Sequence, residues 1–416
     1  MPHERDPLKK EKNMTGIKGT MDAYIEGFDW GCGVTKLYLH LDSPLAELKA
    51  DDVRVLEKKK TTDFTDVPAF PVIDTESYRT VLGAYLVDEE GRKTEDPSKE
   101  AVITMAASPS EGSPLLFNMH TQFNTWSDPY ELHISIKGQE TEIDPVFKNK
   151  TTSADMFKED TFKASDGISY RYVHFEPEGG SDVTLVWLHG LGEGGTENTD
   201  PYVTVLANKA AVFAQENFQK NVAKVNVLSP QCPTYWMDND GKKGNFKNMT
   251  INADNTSYYT DSLLELIEKY KALTGSKKVI LAGCSNGGFM TMVLTIARPD
   301  LFDLCIPVCE ALADKDISDE DIAKIKDKPL YFVYSADDTT VPPEKHEIPT
   351  IRRLKEAGAS DLHAAVSEHV FDKSGRFFDK DGKPHQYAGH WSWIDMYNND
   401  CDADGLKVFD FIRMHL

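Results

Sequence analysis

Six near-continuous apolar runs dominate the later part of the chain: "TLVWLHG", "KVNVLSP", "KKVILAG", "LCIPVC", "PLYFVYS" and "LHAAVSE". None shows the in–out alternation of a strand with one wet face, so each reads as a strand buried on both faces. Helical stretches lie between them. Residues 256–273, "TSYYTDSLLELIEKYKAL", space their apolar side chains by three and four and end before Gly275, a cap for the last turn. Residues 288–298 form a second such stretch, stopped by Pro299; residues 344–357 and 405–416 give two more. Buried strands alternating with helices require a mostly parallel sheet flanked by helices.

The texture is different upstream. "MDAYIEGF" and "VTKLYLHL" alternate around a glycine-containing turn, and "DVRVLE", "YRTVLGAYLV", "EAVITMAAS" and "YELHISIKG" follow, separated by Pro, Gly, Asp and Ser. About seven short strands of this kind predict an immunoglobulin-like β-sandwich. We assign it residues 15–140. Residues 141–169, polar and lysine-rich, read as a linker or wrapping segment, and residues 170–416 as the α/β domain.

The formal net charge is −22, from 68 acidic and 46 basic side chains. Such a surface repels nucleic acid and anionic membranes, so neither is expected as a partner. The six cysteines, Cys32, Cys232, Cys284, Cys305, Cys309 and Cys401, form no CxxC pair. They read as buried thiols, with no metal site implied. The start, "MPHERDPLKKEKNMTG", lacks the apolar core of a secretory signal. The expected location is cytoplasmic, or secreted if a leader has been removed.

In an open α/β sheet, chemistry gathers at the carboxyl ends of the strands. "VILAGCSNGGFM" places Ser285 at such an end, between Gly283 and Gly287, with a helix beginning at about Asn286. Glycines two before and two after permit a tight strand-to-helix turn that lifts a serine hydroxyl clear of the sheet. A serine needs a base, and the base needs an orienting acid. One known arrangement on such a sheet has the acid and then the histidine follow the serine in chain order. "PLYFVYSADDTTVPP" supplies Asp337 and Asp338 after a strand, and "QYAGHWSWIDMY" supplies His390. Both aspartates could instead be turn residues, and His390 could simply pack beside Trp391 and Trp393. "VWLHGLGEGG" ends another strand in a glycine-punctuated loop. Its Leu191 N–H, or alternatively that of Gly192, would join Asn286 N–H as an oxyanion donor. Tyr235 and Trp236, in "CPTYWMDNDG", would wall a pocket for an acyl or aromatic group, and "NDGKKGNFKN" beside them could form a flap.

Together, "HGLGEGG", "SPQCPTYW", "GCSNGGFMT", "DDTTVP" and "GHWSW" resemble the α/β-hydrolase superfamily. More narrowly, they are similar to bacterial two-domain esterases with an N-terminal immunoglobulin-like domain, and to feruloyl-esterase-like and prolyl-oligopeptidase-like catalytic domains. The resemblance covers residues 170–416. It implies an α/β-hydrolase fold, Ser285 as nucleophile, His390 as base and then acid, and Asp338 as orienter, since the family's acid precedes two residues and then Val-Pro. Leu191 departs from the small residue usual after His-Gly. Glu310, at another strand end, is a rival orienter or a carboxylate of the pocket wall, and Trp391 is a further pocket residue. The expected activity is a cofactor-independent serine carboxylesterase acting on small ester substrates with short-chain or aromatic acyl groups, including feruloyl or acetyl esters. A prolyl-oligopeptidase-like peptidase is the alternative enzyme, although such enzymes carry a longer N-terminal propeller. A disabled hydrolase core used for binding or assembly is the alternative of another class. The N-terminal domain is expected to pack on the hydrolase domain or to mediate a homo-oligomer.

Overall fold

The computed structural model describes residues 16–195 and 200–416. The reading of the first fifteen residues, and the end of the glycine-rich loop at 196–199, lie outside the described residues. Eight strands build the larger sheet: Lys158–Lys163 (β1), Ser169–Phe175 (β2), Val183–Leu188 (β3), Asn226–Gln231 (β4), Lys278–Cys284 (β5), Leu304–Val308 (β6), Leu330–Ser335 (β7) and Leu362–Ser367 (β8). Their order is β1-β2-β4-β3-β5-β6-β7-β8, antiparallel at β1-β2 and β2-β4 and parallel from β4 onward. β3, β4, β5, β6 and β7 are buried almost throughout, which is why their sequences read as continuous apolar runs. The helix Asn286–Ala297 leaves β5 and is itself almost entirely enclosed. The helix Thr260–Thr274 ends on Gly275 in the left-handed conformation. This is the α/β-hydrolase fold. Among the described residues no helix is long and apolar enough to cross a membrane.

The N-terminal domain is the expected immunoglobulin-like sandwich. One sheet holds Ile17–Phe28, Gly31–Leu45, Ser98–Met105 and Val81–Val87; the other holds Val72–Tyr78, Val53–Thr62 and Tyr130–Ile136. The segment 141–169, expected as a linker or wrapping segment, contributes strands to both domains. Thr141–Ile143 and Lys150–Thr152 both pair in parallel with Ile17–Phe28, and Lys158–Lys163 is the first strand of the eight-stranded sheet. These are edge strands with mostly wet side chains, so they carry no apolar alternation to find.

The two domains are not beads on a string. Core residues of the sandwich, such as Met21, Ile25, Leu37 and Ile103, belong to the same buried cluster as Leu185, Trp187, Ile280 and Ile306 on one face of the large sheet. Polar contacts reinforce the junction. Asp29 accepts hydrogen bonds from Lys209 and from Asn398 Nδ2, each at 3.0 Å, and Glu26 pairs with Arg376 at 2.9 Å. All six cysteines are buried and unpaired.

Candidate active site

Ser285 occupies a sharp turn between β5 and the helix Asn286–Ala297. Its backbone stands at φ 55°, ψ −115°, a conformation that non-glycine residues adopt only when the surroundings enforce it. The enforcement is visible in the flanking glycines. A Cβ at Gly283 would lie 2.5 Å from the Gly287 carbonyl oxygen, and a Cβ at Gly287 would lie 2.0 Å from that of Leu188. The Ser285 N–H is held by the carbonyl of Val308 at 2.8 Å. The serine side chain keeps some exposure while its neighbours on both sides are buried.

His390 sits in the short turn Gly389–Trp391, and its ring is packed edge-on by Trp393. Ser285 Oγ lies 2.8 Å from Nε2, and Nδ1 lies 2.7 Å from Asp338 Oδ2. A carboxylate only accepts, so Nδ1 carries the proton and Nε2 is left to accept from the serine hydroxyl. The other oxygen of Asp338 accepts the N–H groups of Thr340 at 2.8 Å and Val341 at 2.9 Å. The turn reading and the orienter reading of this aspartate therefore coexist, one per oxygen.

Asp337 points elsewhere. It accepts from Ser335 Oγ at 2.5 Å and pairs with His369 at 2.6 Å. Its partial burial would raise its pKa, but the Ser335 and His369 hydrogen bonds outweigh that and hold it below the ordinary carboxylate range. It also abuts Gly389, where a Cβ would stand 2.1 Å from Oδ1. Only glycine can precede the histidine at this spot.

The loop after β3 runs beside the serine, since Leu188 pairs with Gly283 and a Cβ at Gly190 would touch Cys284 Sγ at 3.8 Å. His189 is wholly buried. Nδ1 lies 2.6 Å from the Gly190 carbonyl, and Nε2 accepts the Cys232 N–H at 3.0 Å. Burial pushes its pKa down to about 4, so it is a neutral brace for the loop. Among the described residues, no acceptor is bonded to the backbone N–H of Leu191, Gly192 or Asn286. Glu193, next in the loop, is also buried, and burial pushes its carboxyl up to about 7.

Three expected pocket residues are corrected. Trp236 is fully enclosed, its ring tilted against that of His189, and its backbone N–H donates to Asn286 Oδ1 at 2.6 Å. Tyr235 is also buried, its hydroxyl 2.6 Å from Asn245 Oδ1. Trp236 thus braces the turn at Ser285 through Asn286, and neither side chain walls an open pocket. The neighbouring run expected as a flap is tied down by Asp238 and Asp240, which accept the N–H groups of Lys243, Lys242 and Gly244. Glu310 is neither orienter nor pocket wall. It is wholly buried behind Gly288, with Oε2 accepting the Leu312 N–H at 2.6 Å. Trp391 does keep a partly exposed edge and stacks between Tyr387 and Trp393.

Burial pushes Glu310 from its ordinary 4.5 up to about 8. Glu347 is pushed well up, first by burial and then by Glu310 itself. An acid whose folded pKa is raised holds its proton longer in the folded state, so folding stability falls as pH rises from about 4.5 to about 8. His189 works in the opposite sense, but only below its ordinary 6.5. Between pH 6.5 and 8 the raised carboxyls therefore dominate, Glu310 and Glu347 with a share from Glu193 up to about 7. Thermal melts should show a Tm that declines across this window. Glu310→Gln should flatten the decline and gain about 5 °C at pH 8. An unchanged slope would refute the assignment.

Comparison with known proteins places this geometry in context. Residues 20–144 match the family model of the esterase Ig-like N-terminal domain. No curated protein matches the chain. Among solved structures, a thermostable esterase superposes with a TM-score of 0.67 at 23% identity, covering 93% of this chain and 97% of that one. A ferulic acid esterase matches at a TM-score of 0.43 and 12% identity, over 62% of this chain and 98% of that one. The first likeness establishes the fold across both domains. The class so defined is an α/β-hydrolase-fold protein. Its particular form carries an N-terminal immunoglobulin-like domain of the esterase type.

Proposed function

We propose that the chain is a serine carboxylesterase that works through an acyl-enzyme. The observation that carries this reading is the relay Ser285–His390–Asp338, closed at 2.8 and 2.7 Å on a strained turn. His390 removes the hydroxyl proton as Ser285 Oγ attacks the ester carbonyl. Asp338 holds the ring in the required tautomer and stabilises the imidazolium. The backbone N–H groups of Asn286 and Leu191 receive the oxyanion, aided by the N-terminal end of the helix Asn286–Ala297. His390 then protonates the departing alcohol, and water repeats the sequence to release the acid.

Short-chain esters are the proposed substrates, with feruloyl and acetyl esters as the finer possibilities to test. p-Nitrophenyl esters from acetate upward, methyl ferulate and a proline-containing peptide amide should be compared side by side. Turnover of the short esters is expected, and a fluorophosphonate should label Ser285. Turnover of the peptide without any ester would move the protein to the peptidases. No turnover and no labelling would end the hydrolase reading.

A further inference from the structure

The N-terminal domain reaches the loop proposed to hold the oxyanion. Leu115–Asn118 and Phe123–Trp126 form a hairpin that pairs only with itself, outside both sheets of the sandwich. Its side chains lie on the loop 191–195. Asn124 Nδ2 donates to Glu193 Oε1 at 3.2 Å. A Cβ at Gly192 would stand 2.6 Å from Asn124 Nδ2 and 3.6 Å from the Phe117 ring, and a Cβ at Gly195 would stand 2.7 Å from the Phe123 ring. The loop's glycines are thus the price of the hairpin's close approach. Glu193 is the hinge of this contact. Its backbone carbonyl accepts from Gln231 Nε2 at 3.0 Å, and its second carboxylate oxygen lies against Gly190, where a Cβ would be 3.2 Å away. Gly190 immediately precedes Leu191. One buried carboxyl therefore spans from the other domain to the residue that aims the Leu191 N–H.

We infer that Asn124 is a positioning residue for the oxyanion loop, acting through Glu193, and that the hairpin from Leu115 to Trp126 is a working part of the reaction centre. This rests on the esterase reading above. Asn124 touches no substrate; it fixes the register of a donor that must meet a charge formed only in the transition state. Small displacements of such a donor are costly, and a shift of about 1 Å can cost about 100-fold in rate.

The test uses the full chain with Asn124→Ala, Glu193→Ala and the double variant. Each should lose about 10- to 100-fold in kcat for p-nitrophenyl butyrate with KM little changed. A trifluoromethyl ketone, which forms the oxyanion on binding, should weaken in proportion to kcat/KM. The double variant should be no worse than the worse single one. Glu193→Gln, which still accepts from Asn124, should retain most activity. A kcat loss without weaker ketone binding, or additive losses, would overturn the inference. A second arm is independent of turnover: hydrogen exchange across residues 189–195 should quicken about tenfold in Asn124→Ala while the helix Thr260–Thr274 stays unchanged. Unchanged loop exchange refutes the positioning role even if the wild-type protein hydrolyses no ester, a result that by itself would count only against the esterase reading. Should Asn124→Ala fail to fold, Asn124→Ser removes the same hydrogen bond and is read the same way.

Discussion

Ser285→Ala is expected to lower kcat for short p-nitrophenyl esters by about 10⁴- to 10⁶-fold and to leave the fold intact. The side chain makes no packing contribution comparable to that of its glycine neighbours, and alanine tolerates the strained turn no worse than serine does. What disappears is the only hydroxyl bonded to His390 Nε2 among the described residues. The residual rate should come from the oxyanion donors and binding alone. His390→Ala should be similarly severe, and the double variant hardly worse, because the two act as one unit. The measurement is steady-state turnover at matched purity, with a thermal melt to show folding. Retention of more than about 1% of wild-type kcat in Ser285→Ala would remove this serine from the mechanism.

Asp338→Asn should cost about 10⁴-fold in kcat with little loss of stability. An asparagine Oδ1 can go on accepting the Thr340 and Val341 N–H groups, so the turn survives. Its NH₂ then faces His390 Nδ1, where the carboxylate had accepted at 2.7 Å. Two donors cannot share that bond. The imidazole must move its proton to Nε2, and the nitrogen facing Ser285 then donates where it should accept. The same experiment ranks the rivals. Asp337→Asn disturbs only the His369 contact, since its Oδ1 can still accept from Ser335, and Glu310→Gln only a buried carboxyl pair, so both should keep activity within about tenfold. A mild Asp338→Asn beside a severe Asp337→Asn would reverse the assignment.

The order serine, acid, histidine was legible because each sits just beyond a strand or a glycine, and strands buried on both faces announce themselves. Choosing Asp338 over Asp337 was not a matter of composition; it came from the resemblance, and in the structure one aspartate faces each of two histidines. Trp236 and Tyr235 show where such reading stops. An aromatic pair in a loop above a strand has the same sequence whether it faces a cleft or the core, and here both rings are buried. The strands within 141–163 escaped because wet edge strands lack apolar alternation. The hairpin at 115–126 escaped for another reason. Its partners, Glu193 and Asp200, are 69 and 74 residues away from Asn124 and Trp126, so nothing local records them. The buried Glu193 was the nearest thing to a signal: an ionisable residue in a glycine-rich loop has to be held by something.

The spacing of these parts along the chain has a consequence for synthesis. His390 is made 105 residues after Ser285, which at ribosomal speed is about 5–20 s. Throughout that interval the nascent chain carries Ser285 without the imidazole that it bonds in the folded protein. The clamps from Glu26 to Arg376 and from Asp29 to Asn398, 350 and 369 residues apart, are completed on either side of His390, Arg376 being made just before it and Asn398 just after. The segment that carries the histidine thus docks on a sandwich made well before it. Under the proposed mechanism, chemical competence is expected only once His390 has docked beside Ser285.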